Sequence, residues 1–258
     1  MPIVTADLKG FSSLNMPENN TGISGGGIDT ASKFNMTQMA ANDTVEVASD
    51  ATESIAITVE GRNAAGAIVS EAINIVTLNT FVAGTITFER IMKVTAPAHL
   101  GTITVRRVTG AVLICTLEDA AVQGFVVDIT KVIMLFFDAA SEAGAIDVSE
   151  KVFMRNDHAT LTLNNALLSQ TSDPSGLLSI GVAVSKGDTN SIATRKTVIP
   201  AGHMTATGLI AATGTTEPVP TNILASAENI GIWIQMALGA SNAAVRDVYD
   251  MKLEGTTV

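Results

Sequence analysis

The sequence predicts an all-β protein: two antiparallel β-sandwich domains, Ig-like or jelly-roll-like, preceded by an extended N-terminal arm. Three observations carry that prediction. The stretch Glu53 to Ile75 reads as a strand, a turn and a returning strand, because Ile55, Ile57 and Val59 alternate with Ala56, Thr58 and Glu60. That two-residue period belongs to a strand with one buried face. The composition is rich in Ala, Thr, Val, Ile, Gly and Asn, and aromatic residues are only 4%, so small and β-branched side chains must fill the core. Turn residues also separate short apolar runs at spacings of about 8 to 12 residues, the signature of a sandwich. No strand is followed by a long amphipathic stretch, which excludes parallel βαβ units.

The predicted division is an arm over 1–40, a first sandwich over 41–121 and a second over 122–258. In the arm, Asn15, Pro17, Asn19, Asn20, Gly22 and the triplet Gly25, Gly26 and Gly27 leave few hydrophobic anchors. The triplet lacks the Lys-Ser/Thr ending of a phosphate loop and has no buried strand before it. It reads as a surface-tracking arm, or as one that orders on a neighbouring subunit, with Gly25, Gly26 and Gly27 as candidate subunit contacts. The expectation is that residues 1–28 can be removed without loss of the fold.

In the first sandwich, a strand over Asp43 to Val47 precedes the hairpin. Gly61, Asn63 and Gly66 make its turn, and Val69, Ile73 and Ile75 return in phase. Arg62 and Glu71 are expected to face solvent. Strands are expected over Thr85 to Phe88, Ile91 to Val94, Thr102 to Arg106 and Val112 to Leu117, with Pro97, Gly101 and Gly110 between them. Glu118 to Gln123 serves as the join.

In the second sandwich, Asp128 to Ala140 is an apolar run that periodicity assigns neither to a strand nor to a helix. Val152 and Met154 face away from Phe153, and Ala159 to Leu163 reads as a strand with Leu161 and Leu163 packed. Asp173, Pro174, Ser175 and Gly176 form a turn, and Leu178, Ile180 and Val182 alternate after it. Gly187 to Ser191 and Gly202 to Pro220 are loops, the second long enough to suggest an interface or a function. Ile230, Ile232, Ile234, Met236 and Leu238 alternate most cleanly, with Gly231, Trp233, Gln235 and Ala237 on the opposite face. Tyr249, Met251 and Leu253 make the last strand. Trp233, the single tryptophan, either packs under a loop or the other sheet or anchors a subunit contact.

Several function classes are disfavoured. With 15 Lys and Arg against 25 Asp and Glu the net charge is -10, and adjacent cations such as Arg106 and Arg107 occur only in pairs, so no nucleic-acid partner is expected. The single cysteine, Cys115, sits in apolar VLICTLE and reads as an inert buried thiol. The start MPIVTADLKGF has no signal-peptide pattern, and no run approaches the ~20 apolar residues of a membrane span, Val132 to Phe137 being the longest clear one. A soluble protein with no membrane partner, made in the cytoplasm, is expected. His99, His158 and His203 are isolated, so neither metal nor cofactor is expected. Asp173 and Asp188 read as turn-stabilising side chains rather than calcium ligands. Nucleophile-elbow, P-loop, dinucleotide and EF-hand patterns are absent, and no residue stands out as catalytic.

One resemblance sharpens this. TVEGRNAAGAIVSEAI, TITFERIMKV and GTITVRRVTG resemble the β-sandwich segment of structural proteins of tailed bacteriophages. EKVFMRNDHATLTLNNA, SDPSGLLSIGVA and IGIWIQMALGASNAAVRDVYDMKLEG are similar to the C-terminal sandwich of the same virion proteins, and the glycine triplet is similar to their SLGGxIS-type opening. The resemblance implies a non-enzymatic virion component, foremost a head decoration or cement protein. Its implied partners are itself, as a homo-oligomer such as a trimer, and the major capsid protein or other virion proteins. A neck, tail or baseplate position is the alternative within the virion, and a host-glycan-binding module is the alternative of another class. The Gly202 to Pro220 loop holds no aromatic residue, which disfavours the glycan reading.

Overall fold

A computed structural model describes residues 3, 7–17, 21–33, 36–118, 125–126, 130–131, 144–173, 175–211, 213–240 and 250–257. Every strand pairing among them is antiparallel. The chain forms two compact units, but the boundaries differ from the predicted ones. Met1–Asp29 joins Phe125–Val258 in one unit, and Thr30–Gly124 forms the other.

The chain opens with β1 (Leu8–Asn15) and β2 (Ser24–Asp29), which pair with each other in the first of these units. It then passes into the Thr30–Gly124 unit, with β3 (Ser32–Lys33), β4 (Val45–Ser49), β5 (Ile55–Arg62), β6 (Ile68–Ile75), β7 (Val82–Ala83), β8 (Arg90–Thr95), β9 (Ile103–Arg107) and β10 (Leu113–Leu117). These make two four-stranded sheets, ordered β3-β8-β5-β6 and β10-β9-β4-β7. Their inward side chains, Val45, Val47, Ile57, Val59, Ile73, Ile75, Ile103, Val105 and Leu117 among them, fuse into one apolar cluster. The predicted hairpin is β5 and β6. Its turn is held by Asn63 Oδ1, which accepts from Ala65 N and Ala67 N at 3.0 Å each, while Gly66 takes a φ of 76°.

Two local expectations for this unit are corrected. Thr85 to Phe88 is not a strand; within it only Phe88 bridges, to Asp43. Glu71 is not left to solvent but ties that segment down. Its Oε1 accepts from Thr85 N at 2.6 Å and Thr85 Oγ1 at 2.8 Å, and its Oε2 accepts from Ile86 N at 3.0 Å. Desolvation opposes ionisation, yet these donors prevail and hold the carboxyl below the usual glutamate range. Short segments that bond to a side chain need no ladder partner, which is why a β-like sequence here is not a strand.

The remaining strands return to the first unit. They are β11 (Phe125–Val126), β12 (Thr130–Lys131), β13 (Ile146–Asn156), β14 (Leu163–Ser172), β15 (Leu178–Lys186), β16 (Ser191–Ile192), β17 (Thr216–Pro218), β18 (Ile223–Leu224), β19 (Asn229–Leu238) and β20 (Asp250–Thr256). The larger sheet runs β15-β19-β13-β1-β2-β16, with β11 also on β1; the smaller runs β12-β20-β14-β17, with β18 also on β14.

This topology overturns the predicted arm. β1 lies inside the sheet, paired with β13 from Leu8↔Asn156 to Ser12↔Val152, and Phe11 is buried. Gly and Ser occupy most of the buried positions of β1 and β2, so neither strand shows a hydrophobic period, and beyond each other their partners, β11 and β13 for β1 and β16 for β2, lie more than a hundred residues away in sequence. Ala159 to Leu163 is corrected as well: only Leu163 is in a strand. The stretch before it is a turn in which His158 Nδ1 accepts from Thr160 N at 3.2 Å and Leu161 N at 3.0 Å. The Asp128 to Ala140 run, apart from Thr130 and Lys131, lies outside the described residues, as do Asn19, Asn20, Ala120 to Gln123, Pro174 and Tyr249.

Candidate functional site

The most heavily functionalised place among the described residues is the middle of β13, where Glu150 and Lys151 are both buried. In the β13–β19 register Glu150 lies opposite Ile234 and Lys151 opposite Trp233, so their side chains leave the sheet on opposite faces. On one face Glu150 shares a row with Val148, Val152 and Met154 and with Ile230, Ile232, Ile234 and Met236 of β19, all buried. Its Oε1 lies 2.7 Å from Arg195 Nε, with the two side chains 0% and 1% exposed. Ser24 Oγ donates to Glu150 Oε2 at 2.9 Å and to Ser149 O at 3.1 Å, and Ser149 N donates to Arg195 O at 2.7 Å.

On the other face Lys151 is ion-paired with the Asp188 carboxylate, and their side chains are 0% and 3% exposed. Lys151 Nζ also donates to Gly26 O at 3.1 Å, Asn190 O at 3.1 Å and Asp188 O at 3.4 Å. It lies 4.9 Å from the Phe153 ring centre and 5.2 Å from that of Trp233, within cation–π range. Burial pushes the Lys151 ammonium below its usual range, and the Asp188 carboxylate partly restores it. Asp188 Oδ1 meanwhile accepts from Asn190 N at 3.1 Å, the turn-stabilising bond expected of it.

The glycine triplet and Trp233 come together at this site. Gly25 pairs with Ser191, and Gly26 N donates to Asn190 O at 2.8 Å. At Gly25, φ is 93° and a Cβ would stand 2.7 Å from Trp233 Cη2, so a side chain fails there on both conformation and space. Trp233 is 0% exposed, clusters with Ile192, Ile199 and Met204, and stacks on His203 with ring centres 6.2 Å apart. Gly25, Gly26 and Trp233 are therefore interior packing positions: Trp233 follows the packing alternative of its two readings, and the reading of Gly25 and Gly26 as subunit contacts is corrected; Gly27 is half-buried. The reason is the chain from Gly187 to Leu209, which covers the Trp233 face of the sheet.

The other candidates are structural. The Gly202 to Pro220 loop is sewn to β15: Thr205 N donates to Val182 O at 2.9 Å and Ile210 N to Ile180 O at 2.7 Å. Glu217 in that loop accepts from Val182 N at 3.4 Å and from Thr205 Oγ1, and burial pushes its carboxyl above the usual glutamate range. Asp173 holds its turn by accepting from Gly176 N at 3.1 Å and Leu178 N at 2.9 Å. His99 is buried, with Nδ1 2.7 Å from Gly101 O. Burial pushes the Cys115 thiol up to about 12. Among the described residues no group of three or more His, Cys, Asp or Glu could hold a metal ion. No helix among them is long and apolar enough to cross a membrane.

Sequence reading missed Glu150, Lys151 and Arg195. A signal existed in VSEKVFMRN, where a charged pair interrupts a strand that is apolar on both sides; such a pair must be exposed or matched. What the arrangement does chemically is join β2, β13 and the 187–195 segment through two ion pairs and their backbone acceptors, with the Trp233 ring of β19 against Lys151.

No family model and no curated protein matches the chain. Among solved structures it is similar to the infectious bursal disease virus VP2 subviral particle, at 11% identity over 98% of this chain and 68% of that one, with a TM-score of 0.17. A likeness that distant carries no argument about fold or role.

Proposed function

We propose that the chain is a non-catalytic structural component of a tailed-bacteriophage virion, a head decoration or cement protein that contacts copies of itself and the major capsid protein. One architectural observation carries the reading. Two antiparallel sandwiches share one chain, and the buried charges of the larger sheet, Lys151 with Asp188 and Glu150 with Arg195, are spent on holding strands to one another. A protein working by contact needs this combination of rigid strands and outward apolar positions. Val76, Leu100 and Val198 are 63%, 75% and 76% exposed and offer such positions in the loops. The sequence resemblance to phage virion proteins supports the same reading, and a formal charge of -10 favours solubility before assembly.

The test is stoichiometry. Purified particles are expected to contain the protein in fixed ratio to capsomers, and to lose head stability when it is omitted. A few copies per particle would move the protein to the neck, tail or baseplate. Its absence from particles, together with binding on a glycan array, would replace the reading with a host-glycan module.

A further inference from the structure

Lys151 and Asp188 meet in a setting that favours chemistry between them as well as attraction. Both side chains are shut away from water, at 0% and 3% exposure, and the Nζ atom touches the carboxylate. The rings of Phe153 and Trp233 wall the site at 4.9 and 5.2 Å from Nζ. Low polarity favours the neutral amine and carboxylic acid over the separated ions, and enforced contact supplies an effective concentration that no solution reaches. Two buried polar atoms on this sheet face, Trp233 Nε1 and Ser149 Oγ, have no hydrogen-bond partner among the described residues. They are unspent donors on the sheet face where a new amide oxygen would need one.

We propose that Lys151 and Asp188 condense to an intramolecular isopeptide bond. A proton first passes from the Lys151 ammonium to the Asp188 carboxylate. The neutral amine then attacks Cγ, a C–N bond forms, and the carboxyl hydroxyl leaves as water with a proton from Nζ; nothing is oxidised or reduced. The remaining N–H keeps an acceptor in Gly26 O or Asn190 O, both 3.1 Å from Nζ. The bond would lock β13 to the loop after β15, 37 positions on in sequence, and remove a buried ion pair whose desolvation opposes folding. It would also lodge the backbone of the glycine triplet against a covalent strut.

The experiment is the intact mass of the full-length chain, denatured and fully reduced. The expected mass is that of the sequence less one water, and proteolysis should yield a branched peptide joining the Lys151 and Asp188 segments. Lys151→Arg should carry its full sequence mass, a reading that does not depend on whether the variant folds. An unmodified wild-type mass with free Lys151 and Asp188 peptides would overturn the proposal. So would a water deficit that persists in Lys151→Arg, because the loss would then lie elsewhere.

Discussion

In the Thr30–Gly124 unit the interior is one apolar cluster running from Val45 and Ile57 to Ile103 and Leu117, and Arg90 is the one Asp, Glu, Lys or Arg buried among its described residues, whereas the other unit buries Glu150, Lys151, Asp188, Arg195 and Glu217. Both are antiparallel sandwiches, so the architecture does not require the charges. The difference lies in how each sheet is assembled from the chain. The apolar unit is continuous, and its strands carry their own register in alternating Ile and Val. The charged unit must recruit β2, whose sequence SGGGID has almost no side-chain pattern to set its register. A strand that plain is prone to slip, and Glu150 and Lys151 supply what it lacks: Ser24 Oγ bonds to one and Gly26 O to the other, from opposite faces of the sheet. A slip that brought Ser24 to the place of Gly25 would also drive a side chain into Trp233.

Two natural probes separate the units. Trp233, the only tryptophan, reports on the charged unit, and Cys115, the only cysteine, on the apolar one. The thiol sits at about 12 and is buried, so its labelling by a thiol reagent follows opening of the apolar unit. The largest expected effect is that of deleting residues 1–28. The charged unit loses two strands of its larger sheet, so Trp233 emission should become that of an unfolded chain while Cys115 stays protected. Retention of a native Trp233 signal would restore the view of these residues as a dispensable arm.

Next in size is Arg195→Met, which leaves Glu150 buried without its cation and should cost about 3–5 kcal/mol in urea unfolding followed at Trp233. The double variant Glu150→Leu with Arg195→Met should recover most of that loss, because two apolar groups need no pairing. If the charges also set register, the double variant will regain stability yet give more than one set of resonances for β2. A single sharp set would show that Gly25 and Trp233 suffice. The Cys115 labelling rate should not change in either variant.

The same contrast governs what could be read from the sequence. β5, β6 and β19 were legible because each carries its own apolar period, in Ile55 to Val59, Val69 to Ile75 and Ile230 to Leu238. β1 and β2 were not, because LKGFSSLN and SGGGID bury Gly and Ser, whose burial is decided by partners remote in sequence. For the site, the glycines were set on the surface and Trp233 was left between packing under a loop or the other sheet and anchoring a subunit contact, since a lone tryptophan opposite an aliphatic stripe does not reveal which will cover it. Lys151 and Arg195 were invisible as buried residues, because only the fold shows that Asp188 and Glu150 are waiting for them.

Gly25→Ala tests the steric half of the argument. A methyl 2.7 Å from Trp233 Cη2, on a backbone at φ 93°, should cost about 1–3 kcal/mol. The loss should appear at Trp233 and leave Cys115 labelling unchanged. Gly66→Ala in the apolar unit is the matched control. It has positive φ but nothing within 4 Å of the added methyl, so it isolates the conformational share of the cost.

The smallest effect is that of Glu217→Gln, and its value lies in its sign. Burial raises the Glu217 carboxyl above its ordinary 4.5, so between that value and its own the folded chain binds a proton that the unfolded chain has released. Stability from this group is therefore present below 4.5 and declines as pH rises through that window. Glu228 runs the other way. Desolvation is outweighed there by Lys186, whose Nζ lies 2.6 Å from Oε2, and by Ala225 N at 2.8 Å, so its contribution holds above 4.5 and fades as pH falls through its lowered value. Both groups belong to the charged unit, and in the wild type their slopes partly cancel. Glu217→Gln should remove the decline on the high side and leave the acid loss from Glu228 exposed, so the Trp233-monitored midpoint should rise more steeply from about pH 3 to about pH 6 than in the wild type. A pH profile parallel to the wild type would mean that Glu217, on β17, holds its carboxylate in water rather than in a desolvated setting.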